Sequence, residues 1–139
     1  MTLVVDANVA VKWFIQQQGS DHARRIQSYR GALIAPAMLI SETTNGLWRH
    51  VARGDVSPSF ARTAVVGLPR WFDELVEDQL LAPAALDIAV ELNYAPYDCI
   101  YLALSSARFA PLVTADKRLI NRLASTKYKS NVIHLADWT

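Results

Sequence analysis

The stretch LVVDANVAVKWF, residues 3–14, decides how the rest of the chain is read. Leu3-Val4-Val5 is apolar on successive residues, as in a strand covered on both faces. The run stops at Asp6, an amide follows at Asn8, and apolar residues resume at Val9 in a pattern that predicts a short helix to Ile15. Strands buried on both faces belong to parallel sheets, and open parallel sheets bind their ligands outside the carboxyl ends of the strands. Asp6 is therefore a candidate for a site at that edge.

The same signature recurs further along. Leu33-Ile34-Ala35 reads as a second short strand, closed by Pro36. Leu112-Val113-Thr114 reads as another, ended by Ala115-Asp116, and Val132 to Leu135 as the last. Helical patterns lie between them. Residues 21–30 form one. Met38 to Arg53 form the longest, with Ile40, Thr43, Thr44, Leu47 and Val51 on its buried side and Gly54 as its stop. Ser57 and Pro58 supply an N-cap and a first helical residue. Pro83 opens a helix to about Leu92, and Pro96 opens another whose inner face is Ile100, Ala103, Leu104 and Ala107. Lys117 to Ala124 completes the set. The stretch from Gly67 to Pro83 has the weakest pattern; Trp71, Phe72, Leu75 and Val76 predict burial there, with room for a third strand. Short apolar strands alternating with helices specify an α/β fold, a parallel sheet covered by helices on both sides.

Composition bounds the function. A chain of 139 residues is expected to form one domain, since domains commonly run to about 100–150 residues. A hydrophobic fraction of 52% with 19% charged residues is that of a globular protein with a real core. The formal net charge of +1 gives no strong overall field, so contact with nucleic acid has to come from a local patch. Cys99 is the single cysteine, which excludes an internal disulfide and a cysteine-rich metal site. No run approaches the roughly 20 apolar residues that a membrane helix needs, and no signal peptide is visible. The expectation is a cytoplasmic protein.

Three more acids fall where they reach the edge that Asp6 marks. Asp116 follows its strand as Asp6 follows the first. Glu42 lies in the early turns of the helix after the second strand, and Asp98 in the first turn of the helix opened by Pro96. In right-handed crossovers, such helix N-termini stand at the carboxyl edge of the sheet. Each acid has an ordinary alternative: Asp98 and Glu42 as early-helix acids favoured by the dipole, Asp116 as an N-cap. Together they point to one cavity. Carboxylates gathered without a cation raise one another's pKa, and Mg²⁺ or Mn²⁺ relieves that conflict with oxygen ligands. Asn8 and Thr114 then serve as neutral groups that orient ligands or waters. His22, His50 and His134 have no metal-ligand spacing, and Trp13 and Trp48 are expected to pack rather than to stack on bases.

The blocks VVDANVAVKWF, ISETTNGLWR and YDCIYLALSSA, the last followed closely by PLVTADKRLINRL, resemble a PIN-domain ribonuclease. Among these they resemble the VapC toxin of a type II toxin–antitoxin pair. The likeness runs from Leu3 to about Leu123, with no usable motif between Phe60 and Ala82. It implies a three-layer α/β/α fold and metal-dependent endonuclease activity on RNA, leaving a 5′-phosphate and a 3′-hydroxyl. Asp6, Glu42, Asp98 and Asp116 take the positions of the family's acidic metal-binding residues, holding one or two Mg²⁺ or Mn²⁺ ions, with Asn8 and Thr114 at its polar positions. Where some relatives carry a further acid, Lys117, Arg118 and Leu119 follow Asp116. The resemblance also implies a homodimer and neutralisation by a cognate VapB-type antitoxin whose segment covers the acidic groove. Lys12, Arg49, Lys117 and Arg118 are candidate RNA contacts by their nearness to the acidic motifs.

Competing readings fit less well. An aspartyl-phosphate phosphatase wants an acid two residues after its nucleophile, where this chain has Asn8. A receiver-like signalling domain wants paired acids after the first strand and a phosphoacceptor after a middle one. A PIN-like fold reduced to partner binding has no need of acids at all four positions.

Overall fold

In the computed structural model, which describes residues 1–138, Leu3-Val4-Val5 lies in strand β1 (Thr2–Val5) at the centre of a five-stranded parallel sheet. Strand β2 (Ala32–Pro36) pairs with it on one side, and β3 (Glu74–Val76) forms the edge beyond. On the other side lie β4 (Leu112–Thr114) and then β5 (Val132–His134). The order β3-β2-β1-β4-β5 means that the chain builds outward from β1 in one direction, then crosses back and builds in the other. The crevice between the carboxyl ends of β1 and β4 is thus the topological switch point, where ligands bind in open α/β sheets.

Successive strand side chains point to opposite faces, which explains the unbroken apolar runs. Leu3, Val5, Leu33, Ala35 and Val113 face one layer. There they meet Val9, Ala10 and Trp13 of α1 (Ala7–Phe14), Ala23 and Ile26 of α2 (Ser20–Gln27), and Leu39 of α3 (Leu39–Ala52). Val4, Ile34 and Leu112 face the other. They meet α5 (Asp78–Leu92), α6 (Pro96–Arg108) and α7 (Lys117–Leu123) through residues such as Ile88, Leu102, Leu104 and Leu119. Each fully buried Leu or Val stabilises the fold by about 1.5–3 kcal/mol. A third cluster, Val11, Ile15, Leu47, Ala61 and Ala64, fastens α3 and α4 (Pro58–Gly67) to the outer side of α1. The α/β/α architecture agrees with the sequence expectation.

Local departures have identifiable causes. The helix expected to open at Pro83 begins at Asp78, and Pro83 sits inside it on the solvent side. Water can serve the carbonyl that Pro83 leaves without a donor, so the helix tolerates it. The strand in the weakly patterned stretch exists, as Glu74–Val76, but Trp71 is 44% exposed rather than buried. Trp48 is 62% exposed, because α3 turns Thr43 and Leu47 inward and the next residue outward. Thr44 is exposed as well, its hydroxyl donating to the Ile40 carbonyl, while Ile40 and Val51 are half-buried. Ser57 caps α4 as expected, accepting from the Phe60 amide at 3.1 Å, and Gly54 follows α3 at φ +82°.

One close approach positions α3. A Cβ on Gly46 would stand 2.7 Å from Val11 Cγ2 of α1, and valine is stiff at χ1. Gly46 is four residues from Glu42, on the same face of the helix, so this contact also sets how near Glu42 comes to the sheet edge. Gly46→Val should lower stability by about 1–3 kcal/mol through overpacking. Gly67→Ala, where a Cβ meets nothing within 4 Å at φ −82°, should be neutral or raise stability by up to about 1 kcal/mol. Thermal denaturation of the two variants checks both signs.

Candidate active site

The site forms because the elements end where acids begin. Asp6 ends β1 and precedes α1; it is only 8% exposed. Asp116 follows β4 and caps α7, its Oδ1 accepting from the Arg118 and Leu119 amides at 2.9 and 3.2 Å. Glu42 lies in the first turn of α3 and Asp98 in the first turn of α6. All four line one cleft of about 570 Å³ at the switch point, together with Asn8. Capping and lining the cleft are both true of Asp116.

Thr114 organises the centre. Its hydroxyl donates to Asp6 Oδ2 at 2.8 Å and accepts from Asn8 Nδ2 at 3.2 Å and from the Asp116 amide at 3.0 Å. One donor and two acceptor sites are thereby all used. Asn8 is oriented unambiguously, because its Oδ1 accepts the Ala115 N–H at 3.0 Å and its amide nitrogen must then face Thr114. Thr114 is fully buried. Asn8 and Thr114 thus act by holding Asp6 and tying the ends of β1 and β4 together. Glu42 is held separately: the buried Tyr101 hydroxyl of α6 donates to its Oε1 at 2.7 Å.

The electrostatics are those of crowded acids. Burial, with the charges of Glu42 and Asp98, pushes the Asp6 carboxyl up from 3.8 to about 7, although the Thr114 bond works against the shift. Glu42 is raised by burial, against its bond from Tyr101, and then by Asp98; Asp98 is raised by burial and then by Asp116. Burial and the neighbouring Asp6 and Glu42 charges raise Tyr101 well above its ordinary value, so it stays a neutral donor. Among the described residues, none of the four acids is in an ion pair. As they stand, no three His, Cys, Asp or Glu side chains among the described residues are gathered closely enough to hold a metal ion. Glu42 is turned to Tyr101 and Asp116 to its own helix. The donor set itself, oxygen only and excess in negative charge, is the kind that suits a hard divalent cation.

The cationic candidates separate. Lys12 and Arg49 line the acidic cleft, Lys117 lines a neighbouring pocket, and Arg118 borders neither. His50, which has no metal-ligand spacing in the sequence, and Arg53, which has no sequence motif of its own, join Arg49 on the cleft wall. Arg53 lies four residues beyond Arg49, a spacing that could have flagged it. Tyr101 was missed too; its signal is the i, i+3 relation to Asp98 on α6.

A stability profile tests the strain at Asp6. With its carboxyl raised in the folded state, folding takes up a proton between pH 3.8 and about 7. Its contribution is nil below the lower value and increasingly unfavourable as pH rises to the upper one. Asp6→Asn should therefore be more stable than the metal-free parent at pH 7, by on the order of a few kcal/mol, with the gain vanishing near pH 4. Chemical denaturation of both proteins across that range, in chelator, measures the difference.

Comparison with known proteins gives the family and the fold. The PIN domain family model matches residues 3–125. "Ribonuclease VapC3" of Pyrobaculum aerophilum is 27% identical over 124 residues, 88% of this chain and 95% of that one. "Ribonuclease VapC1" of Mycobacterium tuberculosis is 33% identical over 87 residues, 61% of this chain and 63% of its own length. In structure, PAE2754 of Pyrobaculum aerophilum matches with a TM-score of 0.72 at 25% identity, over 98% of this chain and 85% of that one. A toxin-antitoxin complex from Klebsiella pneumoniae shares the fold, with a TM-score of 0.66 at 14% identity over 96% and 97% of the two chains. With the match covering nearly the whole sheet and all four cleft acids, the chain belongs to the PIN domain family.

Proposed function

We propose that this protein is a divalent-metal-dependent endoribonuclease and the toxin of a toxin–antitoxin pair. The observation that carries the reading is the cleft at the switch point. It gathers Asp6, Glu42, Asp98 and Asp116 without a paired cation among the described residues, and Asp6 is locked in place by Thr114 and Asn8. The relatives named as VapC ribonucleases support RNA as substrate.

Asp6, Glu42, Asp98 and Asp116 would hold one or two Mg²⁺ or Mn²⁺ ions. When bound, such an ion supplies water activation and charge neutralisation at the scissile phosphate. The residues of the chain do the rest. Thr114 and Asn8 keep Asp6 in one rotamer, so its free edge faces the cleft. Tyr101 does the same for Glu42. Asp98 or Asp6, both lining the cleft, would orient the attacking water. Attack in line breaks the P–O3′ bond, giving a 5′-phosphate and a 3′-hydroxyl. Lys12 and Arg49 on the cleft wall offset the charge of the RNA backbone.

An antitoxin fits the same electrostatics. A basic side chain inserted among four uncompensated carboxylates would relieve their repulsion and exclude the metal together. The neighbour solved as a toxin-antitoxin complex supports such a partner. A homodimer in the cytoplasm completes the reading. No helix among the described residues is long and apolar enough to cross a membrane.

The deciding experiment incubates purified, partner-free protein with total cellular RNA and maps new 5′ ends by sequencing. Discrete cuts are expected with Mg²⁺ or Mn²⁺ and none in chelator. Asp98→Asn should abolish them while leaving the circular dichroism spectrum unchanged. Mg²⁺ or Mn²⁺ should also raise the melting temperature of the parent and not that of Asp98→Asn. A folded, metal-stabilised protein that leaves every RNA intact would sink the ribonuclease reading. Tyr101→Phe separates positioning from ligation. It should lower the cleavage rate about tenfold, since one hydrogen bond to a charged group is worth about 1.5–3 kcal/mol, and weaken metal stabilisation without removing it.

A further inference from the structure

A second pocket of about 630 Å³ opens beside the acidic cleft and shares Lys12 and Ala115 with it. We infer that it is a nucleotide-binding subsite, which seats one residue of the RNA strand next to the scissile phosphate. Its place as an RNA subsite rests on the ribonuclease reading; its capacity to hold a nucleotide does not.

The pocket is built, not left over. Its floor includes Gly19 at φ +88°, a conformation that favours glycine, where a Cβ would come within 3.3 Å of Leu135 Cδ2 and 3.5 Å of Lys12 Cδ. A side chain at this position would narrow the pocket as well as strain the turn. Lys12 is fixed at the shared wall, its ammonium donating to the Gln18 carbonyl at 2.8 Å. Lys117 and Asn121 stand one helical turn apart on α7 and both line the pocket. Ile120 and Leu135 give it apolar surface.

Unmet hydrogen-bonding capacity gathers at the same place. His22 and His134 both line the pocket, and His22 Nδ1 and His134 Nε2 are buried with no partner among the described residues. His134 Nδ1 accepts the Ala136 N–H at 3.1 Å, so in the neutral ring the proton sits on the unpartnered Nε2. Buried polar groups in folded proteins are paired almost without exception. These two nitrogens have almost no accessible surface, so a ligand in the pocket would reach them only through a small turn of either ring.

These features match the parts of a nucleotide. Two lysines suit a phosphate, Ile120 and Leu135 suit the face of a base, and the Asn121 amide can donate to and accept from its edge. Asp137, also in the lining, suits a ribose hydroxyl. The volume lies within the roughly 300–1,000 Å³ of small-ligand sites. The acidic cleft by itself repels a phosphodiester, so a strand needs an anchor alongside it. The shared Lys12 puts this pocket one step away.

The test titrates the full chain, in chelator, with inorganic phosphate and with each of the four common nucleoside 5′-monophosphates by calorimetry. At least one nucleotide should bind more tightly than phosphate. Lys117→Ala and Asn121→Ala should each weaken it about tenfold, and Arg62→Ala on the exposed side of α4 should not. Both pocket side chains are exposed, so the variants should fold. No nucleotide preferred over phosphate, or pocket variants that bind like the parent, would overturn the inference. In the RNA-cut maps, Asn121→Ala should relax base preference at one position beside the cut; an unchanged preference would remove Asn121 from recognition. Nucleotide binding without any RNA cleavage would leave the pocket standing and dismiss the ribonuclease.

Discussion

The Thr114 hydroxyl is the bond on which the site depends. It joins the carboxyl ends of β1 and β4, giving its proton to Asp6 and taking one from Asn8 and one from the Asp116 backbone. Those strands are neighbours only because the chain reverses direction at β1. The hydrogen bond therefore couples a topological fact to a chemical one. Without it, Asp6 would be a buried carboxyl with a still higher pKa and no fixed rotamer. With it, one oxygen is committed to the protein and the carboxylate edge is aimed into the cleft. Asn8 closes the arrangement by bonding both Thr114 and the Ala115 amide, so α1 and the β4 turn are tied together.

The acids around this centre oppose folding. Burial and mutual repulsion raise Asp6, Glu42 and Asp98 together, and no lysine or arginine among the described residues pairs with them. Neutral donors hold them instead: Thr114 for Asp6, Tyr101 for Glu42, backbone amides for Asp116. A neutral donor fixes a carboxylate without cancelling its charge, whereas an arginine would have stabilised the fold and occupied the site. Stability is given up locally, and on the proposed reading it is recovered when a cation from outside, metal or antitoxin side chain, binds there.

Much of this was legible in the sequence, for physical reasons. Unbroken apolar runs announced two-sided burial, and the first polar residue after each run marked the sheet edge. Asp6 and Asp116 followed directly from Val5 and Thr114. Glu42 and Asp98 required the helix N-termini to lie at that same edge, which the handedness of the crossovers supplied. What stayed hidden depends on tertiary neighbours. Pro83 looks like a helix start because proline favours the first turn, yet its exposure lets the helix extend back to Asp78. Trp48 is expected to pack from its helical context, and lies outward by its angle on α3. Tyr101 carries no local signal of its role, because nothing nearby in sequence shows that a phenol will meet Glu42 from 59 positions away.

Charge placement explains how a chain of net charge +1 could manage the polyanion that the proposed function requires. Its acids occupy strand ends and first helical turns, where the backbone fixes them most tightly. Its cations at the site, Lys12, Arg49 and Arg53, lie in or just past the last turns of α1 and α3, on longer and looser side chains. The helix dipole favours both positions, negative charge at N-termini and positive charge at C-termini. The fold thus separates charge along α3: Glu42 lines the cleft from one end, and Arg49 and Arg53 line it from the other, where the proposed function seats the RNA backbone. Overall charge is a poor guide to such a protein, since what matters is a gradient along one cleft rather than a field around the molecule.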